Sequence, residues 1–268
     1  MHPPTSHLAD GKLRLDEPAP HVARLTIDNP AKRNALDHAI LDAIASTVPE
    51  LDARCLLITA AGPVFSAGYD IGGLPKDEFA HRAESLVAHP FHDAIEALDA
   101  FPFPSVAALN GHAIGGGLEL ALSCDLRLAS EDAKVGMPPA RLGLVYSHTG
   151  LRKFVDAIGA ARTRELFFTA RNVGAEEALR WGLVGEVLPA DEVAARGVEL
   201  AAEIAANAPL SLVGNKRVIR ALLDAEGALD PEVEEELVAL RDACFGSEDF
   251  YEGVRAFAEK RAPRWQGR

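Results

Sequence analysis

Two hydrophobic periodicities follow each other along the first part of the chain. Residues 21–28 alternate apolar and polar side chains, which is typical of a half-buried strand, and residues 55–60 form a short apolar run, which predicts a buried strand. Between them the apolar positions recur at helical spacing, and Asn34 is a candidate N-cap for this helix. The helical positions are Leu36, Ile40, Leu41 and Ile44.

The alternation of strand and helix patterns continues up to a short strand predicted at residues 184–189. A glycine-rich loop occupies residues 62–75, and an apolar strand at residues 104–111 leads into three consecutive glycines. From residue 191 onward nearly every residue favours helix. This pattern predicts an α/β fold followed by a helical C-terminal part. The helical part is interrupted at Pro209, Pro231 and Gly246.

Composition and charge narrow the function classes. The 268 residues, 48% of them hydrophobic, suffice for one large domain or one domain with a smaller appendage. The net charge of −13 argues against nucleic acid as a partner, because phosphate binding needs a basic field. It leaves room for a local basic pocket that binds a small anion.

No membrane partner and no secretion are expected. No segment reaches the ~20 apolar residues of a membrane span, and residues 1–20 contain no apolar stretch of the kind found in secretory signals. The three cysteines, Cys55, Cys124 and Cys244, lack metal-ligand spacing. Such isolated thiols predict a reducing, cytoplasmic location and no metal site.

The strongest chemical signal lies in residues 110–130, NGHAIGGGLELALSCDLRLAS. Gly115, Gly116 and Gly117 precede an apolar helical segment that carries one acid, Glu119. Glycine lets a ligand approach the backbone closely, and the first N–H groups of a helix are unpaired and partly positive. This arrangement suits an oxygen on which negative charge develops. Taken alone, it also fits tight helix–strand packing, with Glu119 on a solvated face.

A second glycine loop shifts the balance toward chemistry. The loop at Gly115–Gly117 lacks the glycine or alanine that a dinucleotide motif needs at Leu120, and it lacks the lysine of a phosphate-binding P-loop. The loop FSAGYDIGG, which comes earlier in the chain, also follows a predicted buried strand. Two such loops can each aim one backbone N–H at the same oxygen, which makes an oxyanion hole.

Three motifs in this order and spacing, NPAKRNAL, FSAGYDI and NGHAIGGGLELALSCDLRLA, resemble those of the crotonase superfamily, the enoyl-CoA hydratases and isomerases. The resemblance implies a spiral of ββα repeats in residues 1–200 and a C-terminal helical region, residues 201–268, used in assembly into homotrimers or dimers of trimers. It implies an acyl-CoA thioester as substrate and no cofactor beyond the coenzyme A that the substrate carries. Its two oxyanion donors fall on the backbone N–H groups of Tyr69 and Gly116.

The resemblance also identifies candidate catalytic groups. Glu119 stands where hydratases of the superfamily keep the first of two catalytic glutamates, but the second, expected in a Gln-Pro-Glu segment, is replaced by Pro139 in GMPPARLGL. Hydration needs one group to activate water and another to protonate the α-carbon. Because proline has no proton to exchange, ordinary hydratase activity is not expected.

Longer segments are closer to the methylmalonyl-CoA decarboxylase branch of the superfamily. They include SAGYDIGGLP, MPPARLGLVYSHTGL and SEDFYEGVRAFAEKRAPRW. That branch has a tyrosine at the position of Tyr146, which we expect to be catalytic with Glu119, and a histidine where this chain has Tyr69. The expected substrate-binding residues are Lys32, Ala67, Gly68, Asp70, Gly115, Pro139 and Lys260.

Three functions stay open at this point. The first is a lyase such as a methylmalonyl-CoA-type decarboxylase, and the second is an enoyl-CoA hydratase or isomerase with a single catalytic glutamate. The third is a non-catalytic acyl-CoA binder. Retained Glu119 favours an enzyme, whereas Pro139 is compatible with a binder.

Overall fold

Two sheets form the framework of the computed structural model, which describes residues 5–70 and 90–266. The strands of the first sheet lie in the order β1 (Ser6–Leu8), β2 (Leu13–Ala19), β3 (Val22–Ile27), β4 (Cys55–Ala60), β6 (Ser105–Leu109), β8 (Leu126–Ser130) and β11 (Glu186–Leu188). The strands of the second lie in the order β10 (Val173–Gly174), β9 (Lys134–Gly136), β7 (His112–Ile114) and β5 (Val64–Ser66).

The larger sheet is parallel from β3 through β4, β6 and β8 to β11. Strands β1 and β2 extend it with antiparallel pairing onto β3. The sequence pattern before residue 21 predicts no strand, so this N-terminal extension was missed. Strand β2 carries charged residues at Arg14, Asp16 and Glu17, and Asp16 is matched across the sheet by an ion pair with Arg24. Most residues of β2 are only half-buried, which explains why the sequence shows no alternation of apolar and polar residues there.

The chain builds both sheets at once. Strands β4 and β5, β6 and β7, and β8 and β9 are consecutive pairs, and the first member of each pair joins the large sheet while the second joins the small one. Strands β5, β7 and β9 are parallel neighbours. Their carboxyl ends therefore meet at one edge of the small sheet. The residues that follow these ends begin at Ala67, Gly115 and Met137.

The described helices are α1 (His38–Thr47), α2 (Pro90–Ala100), α3 (Gly116–Leu122), α4 (Pro139–Leu142), α5 (His148–Thr169), α6 (Ala175–Trp181), α7 (Val193–Ala205), α8 (Pro209–Gly227), α9 (Pro231–Phe245) and α10 (Glu248–Ala258). Helix α5 is broken at Gly159, which has a positive φ of 71°. Pro209 and Pro231 are the first residues of α8 and α9, as their missing N–H groups favour. The predicted interruptions of the C-terminal helices are confirmed.

The core has two faces. Helices α1 and α2 cover one side of the large sheet, with fully buried Leu36, Ile40 and Leu98 in its largest apolar cluster. Helix α7 covers the other side through Val193 and Ala201. This helix spans the predicted boundary at residue 200. Residues on both sides of that boundary, Val193 and Ala201, pack on the same sheet. The assignment of the acyl-CoA site to residues 1–200 and of assembly to residues 201–268 stays a prediction.

The predicted N-cap at Asn34 was wrong. Helix α1 begins at His38, and Asp37 caps it by accepting a hydrogen bond from the Ile40 amide at 3.0 Å. Asn34 has a left-handed φ of 55° and is 1% exposed. Its side chain is occupied in holding neighbouring loops, so it is unavailable as a cap.

Within the described part of the chain, none of these helices is both long enough and apolar enough to cross a bilayer.

Candidate active site

The first glycine loop is held in place by a short stretch of pairing with a distant segment. The Leu36 amide donates to the Gly68 carbonyl at 2.8 Å, and the Asp70 amide donates to the Leu36 carbonyl at 3.1 Å. Gly68 adopts a φ of +89°, and its own amide donates to Ser66 Oγ at 3.2 Å. This conformation leaves the Tyr69 amide between two fixed neighbours.

The second glycine loop touches the first. Gly115 has a φ of +57° and precedes the first helical residue, Gly116. A Cβ on Gly68 would lie 3.3 Å from the Gly116 nitrogen, so the two loops meet at their backbones. Within residues 5–70 and 90–266, neither the Tyr69 amide nor the Gly116 amide donates a hydrogen bond. The structure thus brings the two predicted oxyanion donors together with both N–H groups unused.

Glycine is required at the contact because the space for side chains is already filled. A Cβ on Gly116 would lie 2.8 Å from the Tyr69 ring, and a Cβ on Gly117 would lie 2.6 Å from Ser66 Cβ. Real Cβ contacts essentially never fall below 3.0 Å. Gly116 and Gly117 therefore allow helix α3 to begin directly against the loop that contains Tyr69 and Ser66.

Glu119 lies one turn inside helix α3 and is 5% exposed. Tyr146, which is 8% exposed, donates a hydrogen bond from its hydroxyl to Glu119 Oε2. The other carboxylate oxygen, Oε1, lies against the first turn of helix α5, where a Cβ on Gly150 would approach it to 2.7 Å. The expected pair of Glu119 and Tyr146 is in direct contact.

A second tyrosine extends this pair. The Tyr69 phenol lies near Tyr146 and Glu119, since each of these groups shifts its pKa. The Tyr69 ring packs edge-on against Phe91 with centroids 4.8 Å apart, and Tyr146 packs on Phe167 at 5.5 Å. Two phenols and one carboxyl therefore lie beside the predicted oxyanion donors.

The electrostatics of the carboxyl suit proton exchange near neutral pH. Burial raises the pKa of Glu119 from 4.5 to about 7, although the Tyr146 hydrogen bond and the positive charge of Lys153 act in the opposite direction. Burial and the nearby Glu119 charge raise the pKa of Tyr146 and of Tyr69 well above their usual value. Both phenols therefore stay protonated, and of these three groups Glu119 is the one that gains and loses a proton near pH 7.

Pro139 lies at the same edge of the small sheet. It is buried, begins helix α4, and follows Pro138, whose ring would be 3.7 Å from a Cβ on Gly115. The segment that carries the second glutamate in hydratases is thus represented here by two prolines that abut the glycine loop. Neither proline side chain can accept or donate a proton.

The remaining predicted binding residues are spread more widely. Ala67 lies in the first loop, where its amide donates to the Arg33 carbonyl at 3.0 Å. Lys32 and Asp70 form an ion pair beside this loop, with 60% of the Lys32 side chain exposed. Lys260 is exposed just beyond helix α10, with no contact to the two glycine loops in the described part of the chain. The binding roles of all these residues stay predictions.

Some residues that build the site carry no obvious sequence signal. The buried Asn34 side chain donates to the Ala61 carbonyl at 2.8 Å and to the Val64 carbonyl at 2.6 Å, which fixes the strand before the first loop. Ser66 Oγ donates to the Asn34 carbonyl at 2.8 Å and accepts from Gly68. Glycine at position 150 leaves room for the Glu119 carboxyl. The motif NPAKRNAL contained Asn34, but only the fold shows what its amide holds.

Comparison with known proteins agrees with this geometry. The profile of the family described as enoyl-CoA hydratase/isomerase matches residues 17–268. A protein of Bacillus subtilis (strain 168) named probable enoyl-CoA hydratase is 36% identical over 253 residues, which cover 92% of this chain and 95% of that protein. A carnitinyl-CoA dehydratase of Salmonella typhi is 34% identical over 264 residues, with coverage of 92% and 95%.

Solved structures show the same fold. A methylmalonyl-CoA decarboxylase in complex with 2-nitronate-propionyl-CoA matches with a TM-score of 0.86 at 28% identity, over 96% of this chain and 99% of that one. A carnitinyl-CoA hydratase from Mycobacterium avium matches with a TM-score of 0.80 at 34% identity, over 96% and 99%. The predicted ββα spiral is confirmed, and the chain belongs to the enoyl-CoA hydratase/isomerase, or crotonase, family of enzymes that act on acyl-CoA thioesters.

Proposed function

We propose that this enzyme is a lyase that decarboxylates a malonyl-type CoA thioester, such as methylmalonyl-CoA, through a thioester enolate. The thioester carbonyl oxygen accepts hydrogen bonds from the Tyr69 and Gly116 amides. Removing one such donor from an oxyanion hole typically raises the barrier by ~2.7 to 4 kcal/mol. The unused state of both amides supports this role.

The decarboxylation needs no base to remove a proton from the α-carbon. The bond between the α-carbon and the carboxylate carbon breaks, and its electron pair moves toward the thioester oxygen while CO2 leaves. The enolate then takes a proton at the α-carbon from the Tyr146 hydroxyl or from a water next to it. Glu119 accepts the hydrogen bond that orients Tyr146 and, with its pKa of about 7, can return the proton to it.

The single observation that carries the proposal is which acidic side chains lie at the carboxyl edge of the small sheet. Glu119 is the one carboxyl that the described residues place beside both glycine loops, and the second acid position is filled by the buried Pro139. Loss of CO2 needs no group that removes an α-proton. A site with one acid and an orienting tyrosine is therefore sufficient.

A second candidate is hydration of an enoyl-CoA, with Glu119 as the single catalytic carboxyl. Two observations favour it. The Bacillus subtilis hydratase and the Salmonella typhi dehydratase are 36% and 34% identical to this chain, above the 28% identity of the decarboxylase structure. The Tyr146 hydroxyl also stands within hydrogen-bond distance of Glu119, where it could supply the second proton-handling group.

Turnover of a small thioester panel separates these candidates. We would follow methylmalonyl-CoA and crotonyl-CoA by mass spectrometry with the wild-type chain, with Tyr146→Phe and with the control Tyr251→Phe, whose hydroxyl lies on helix α10. The proposal predicts loss of CO2 from methylmalonyl-CoA, with crotonyl-CoA unchanged. It also predicts slower formation of protonated product in Tyr146→Phe alone.

Hydration of crotonyl-CoA without loss of CO2 would establish the second candidate instead. Binding of both thioesters with no product from either, across the panel, would favour a non-catalytic acyl-CoA binder and contradict the proposal.

We further propose that the chain assembles through its C-terminal helices, as a homotrimer or dimer of trimers. Helix α8 exposes large apolar side chains at Leu210, Val218, Ile219 and Leu222, and helix α9 exposes Leu240. Contiguous exposed apolar surface of this kind marks contact with another protein surface. Sedimentation equilibrium would give the stoichiometry. A cytoplasmic location stays a prediction.

A further inference from the structure

A half-buried arginine on helix α9 lies close to the catalytic pair. Helix α9 packs against the start of helix α5, and Cys244 fastens it to the preceding loop by donating to the Gly143 carbonyl at 2.9 Å and accepting from the Val145 amide at 3.2 Å. This loop leads directly to Tyr146. Arg241 lies three residues before Cys244, so its position is fixed relative to the site.

The guanidinium of Arg241 is oriented by an aromatic ring and has no ion-pair partner in the described part of the chain. Its central carbon lies 5.4 Å from the centre of the Phe245 ring, one helical turn away, and Phe245 is 2% exposed. Stacking on a rigid aromatic ring holds a guanidinium while leaving its N–H edge free for a planar anion. No acid or carbonyl in residues 5–70 or 90–266 accepts a hydrogen bond or forms an ion pair with Arg241.

The other cations near the pair already have partners. Lys153 binds both oxygens of Asp99, at 2.8 and 2.7 Å, and Arg220 contacts the same carboxylate at 3.0 Å. The His148 ring lies 3.2 Å from Glu234. Arg241 differs from these groups because no acid among residues 5–70 and 90–266 pairs with it.

Arg241 shares one face of helix α9 with Glu234, seven residues earlier, and with Cys244, three residues later, and both of these contact the segment that contains Tyr146. Its charge also lowers the pKa of Glu119, which is consistent with this position. In the proposed function the α-carbon of the thioester lies beside Glu119, so Arg241 would lie on the acyl side of the site.

We propose that Arg241 binds a carboxylate carried by the acyl group, so that the enzyme prefers CoA thioesters of dicarboxylic acids over neutral acyl-CoA. The inference rests on the proposed function, because it takes the acyl group to lie between the glycine loops and Glu119. A bidentate arginine–carboxylate pair is strong and geometrically selective. A half-buried cation without a partner also gains stability when an anion arrives.

Binding of two unreactive thioesters of equal chain length tests this role. Succinyl-CoA and butyryl-CoA both carry four acyl carbons, and they differ by the terminal carboxylate. Isothermal titration calorimetry with the full chain would compare wild type, Arg241→Gln and Arg241→Lys. The matched control is Arg164→Gln, which removes an exposed arginine of helix α5.

The proposal predicts that wild type and Arg164→Gln bind succinyl-CoA more tightly than butyryl-CoA. Arg241→Gln should lose roughly 10- to 100-fold in affinity for succinyl-CoA, as expected for a hydrogen-bonded charge pair, with butyryl-CoA unchanged. Arg241→Lys should lie between the two, because it keeps the charge without the fork. Equal affinity of wild type for both thioesters, or an equal loss for both in Arg241→Gln, would overturn it.

Steady-state kinetics separate this inference from the proposed reaction. Because CO2 leaves without charge, the pair weakens as the reaction proceeds, so Arg241→Gln should raise KM for methylmalonyl-CoA without lowering kcat. A succinyl-CoA preference that depends on Arg241 in an enzyme that releases no CO2 would contradict the decarboxylase while supporting the carboxylate site. Release of CO2 with unchanged KM in Arg241→Gln would support the decarboxylase and contradict the carboxylate site.

Discussion

The two glycine loops reach the same point by different means. The loop at Gly68 is held by hydrogen bonds to a segment about thirty residues earlier, through the Leu36 backbone and Ser66 Oγ. The loop at Gly115 has one such bond, from the Gly115 amide to the Gly136 carbonyl at 2.9 Å, and Gly116 and Gly117 leave room for Tyr69 and Ser66. One donor is thus placed mainly by several tertiary hydrogen bonds, and the other by one such bond and by the start of a helix.

This difference indicates which substitutions should displace each donor amide. The first depends on polar groups distant in sequence, so it should respond to changes that lie far from the chemistry. The second depends on local backbone geometry and on the helix that also carries Glu119. The predictions below test this contrast, from the largest expected effect to the smallest.

Gly68→Ala should break the contact between the loops. The new Cβ would lie 2.8 Å from the Ile114 carbonyl oxygen and 3.3 Å from the Gly116 nitrogen. We expect kcat/KM to fall about 10² to 10³-fold, as for loss of an oxyanion donor. Gly62→Ala is the matched control, because Gly62 also has a positive φ, of 75°, but its Cβ would meet only Pro30, at 3.5 Å. Equal losses in both variants would mean that backbone strain, not the donor, is responsible.

Glu119→Gln tests the acid behind the second loop. The amide can still accept the Tyr146 hydrogen bond, but it cannot exchange a proton. We expect turnover to fall by ~10²-fold or more, the usual contribution of a positioned acid or base. Thioester binding should stay within about twofold of wild type, as calorimetry would show. Full activity in this variant would remove Glu119 from the chemistry.

Asn34→Ala should weaken the first loop through stability. The substitution removes a buried side-chain amide and leaves the half-buried Ala61 and Val64 carbonyls without this donor. Each buried polar group left unsatisfied costs ~1 to 3 kcal/mol. Urea unfolding should therefore show a loss on the order of 3 kcal/mol. Asn207→Ala, which removes an exposed helix-end amide, should change little.

The pH dependence of stability should distinguish wild type from Glu119→Gln. The pKa of Glu119 is raised from 4.5 to about 7 in the folded chain, so the folded state holds this proton more tightly than the unfolded state. The stability due to Glu119 is complete below pH 4.5 and is lost as the pH rises through about 7. Relative to wild type, Glu119→Gln should gain on the order of 2 kcal/mol between pH 5 and pH 8. A constant difference in unfolding free energy across this range would contradict the raised pKa.

Sequence reasoning predicted the parts of the candidate site that are local in the chain. Gly116 and Glu119 belong to one strand–turn–helix segment, where glycine composition and helical period are visible together. The β4 strand at Cys55–Ala60 was also predicted with its observed bounds, because continuous apolar residues between turn residues leave little ambiguity.

What it missed depends on groups that meet only after folding. Asn34 was taken for a helix cap, whereas its amide bonds to carbonyls 27 and 30 residues away. Tyr69 was predicted to contribute only its amide, yet its phenol also lies within electrostatic reach of Glu119 and Tyr146. Polar side chains of this kind have no period, so a single sequence gives no signal for their partners.

The most direct test of the two-donor account is the affinity for an enolate mimic. The nitronate anion of 2-nitropropionyl-CoA resembles the enolate, and propionyl-CoA resembles the ground state. If the Tyr69 and Gly116 amides stabilise the enolate, wild type should bind the nitronate at least ~10²-fold more tightly, and Gly68→Ala should lose this preference while Gly62→Ala keeps it. Equal affinity of wild type for the two thioesters would contradict the account.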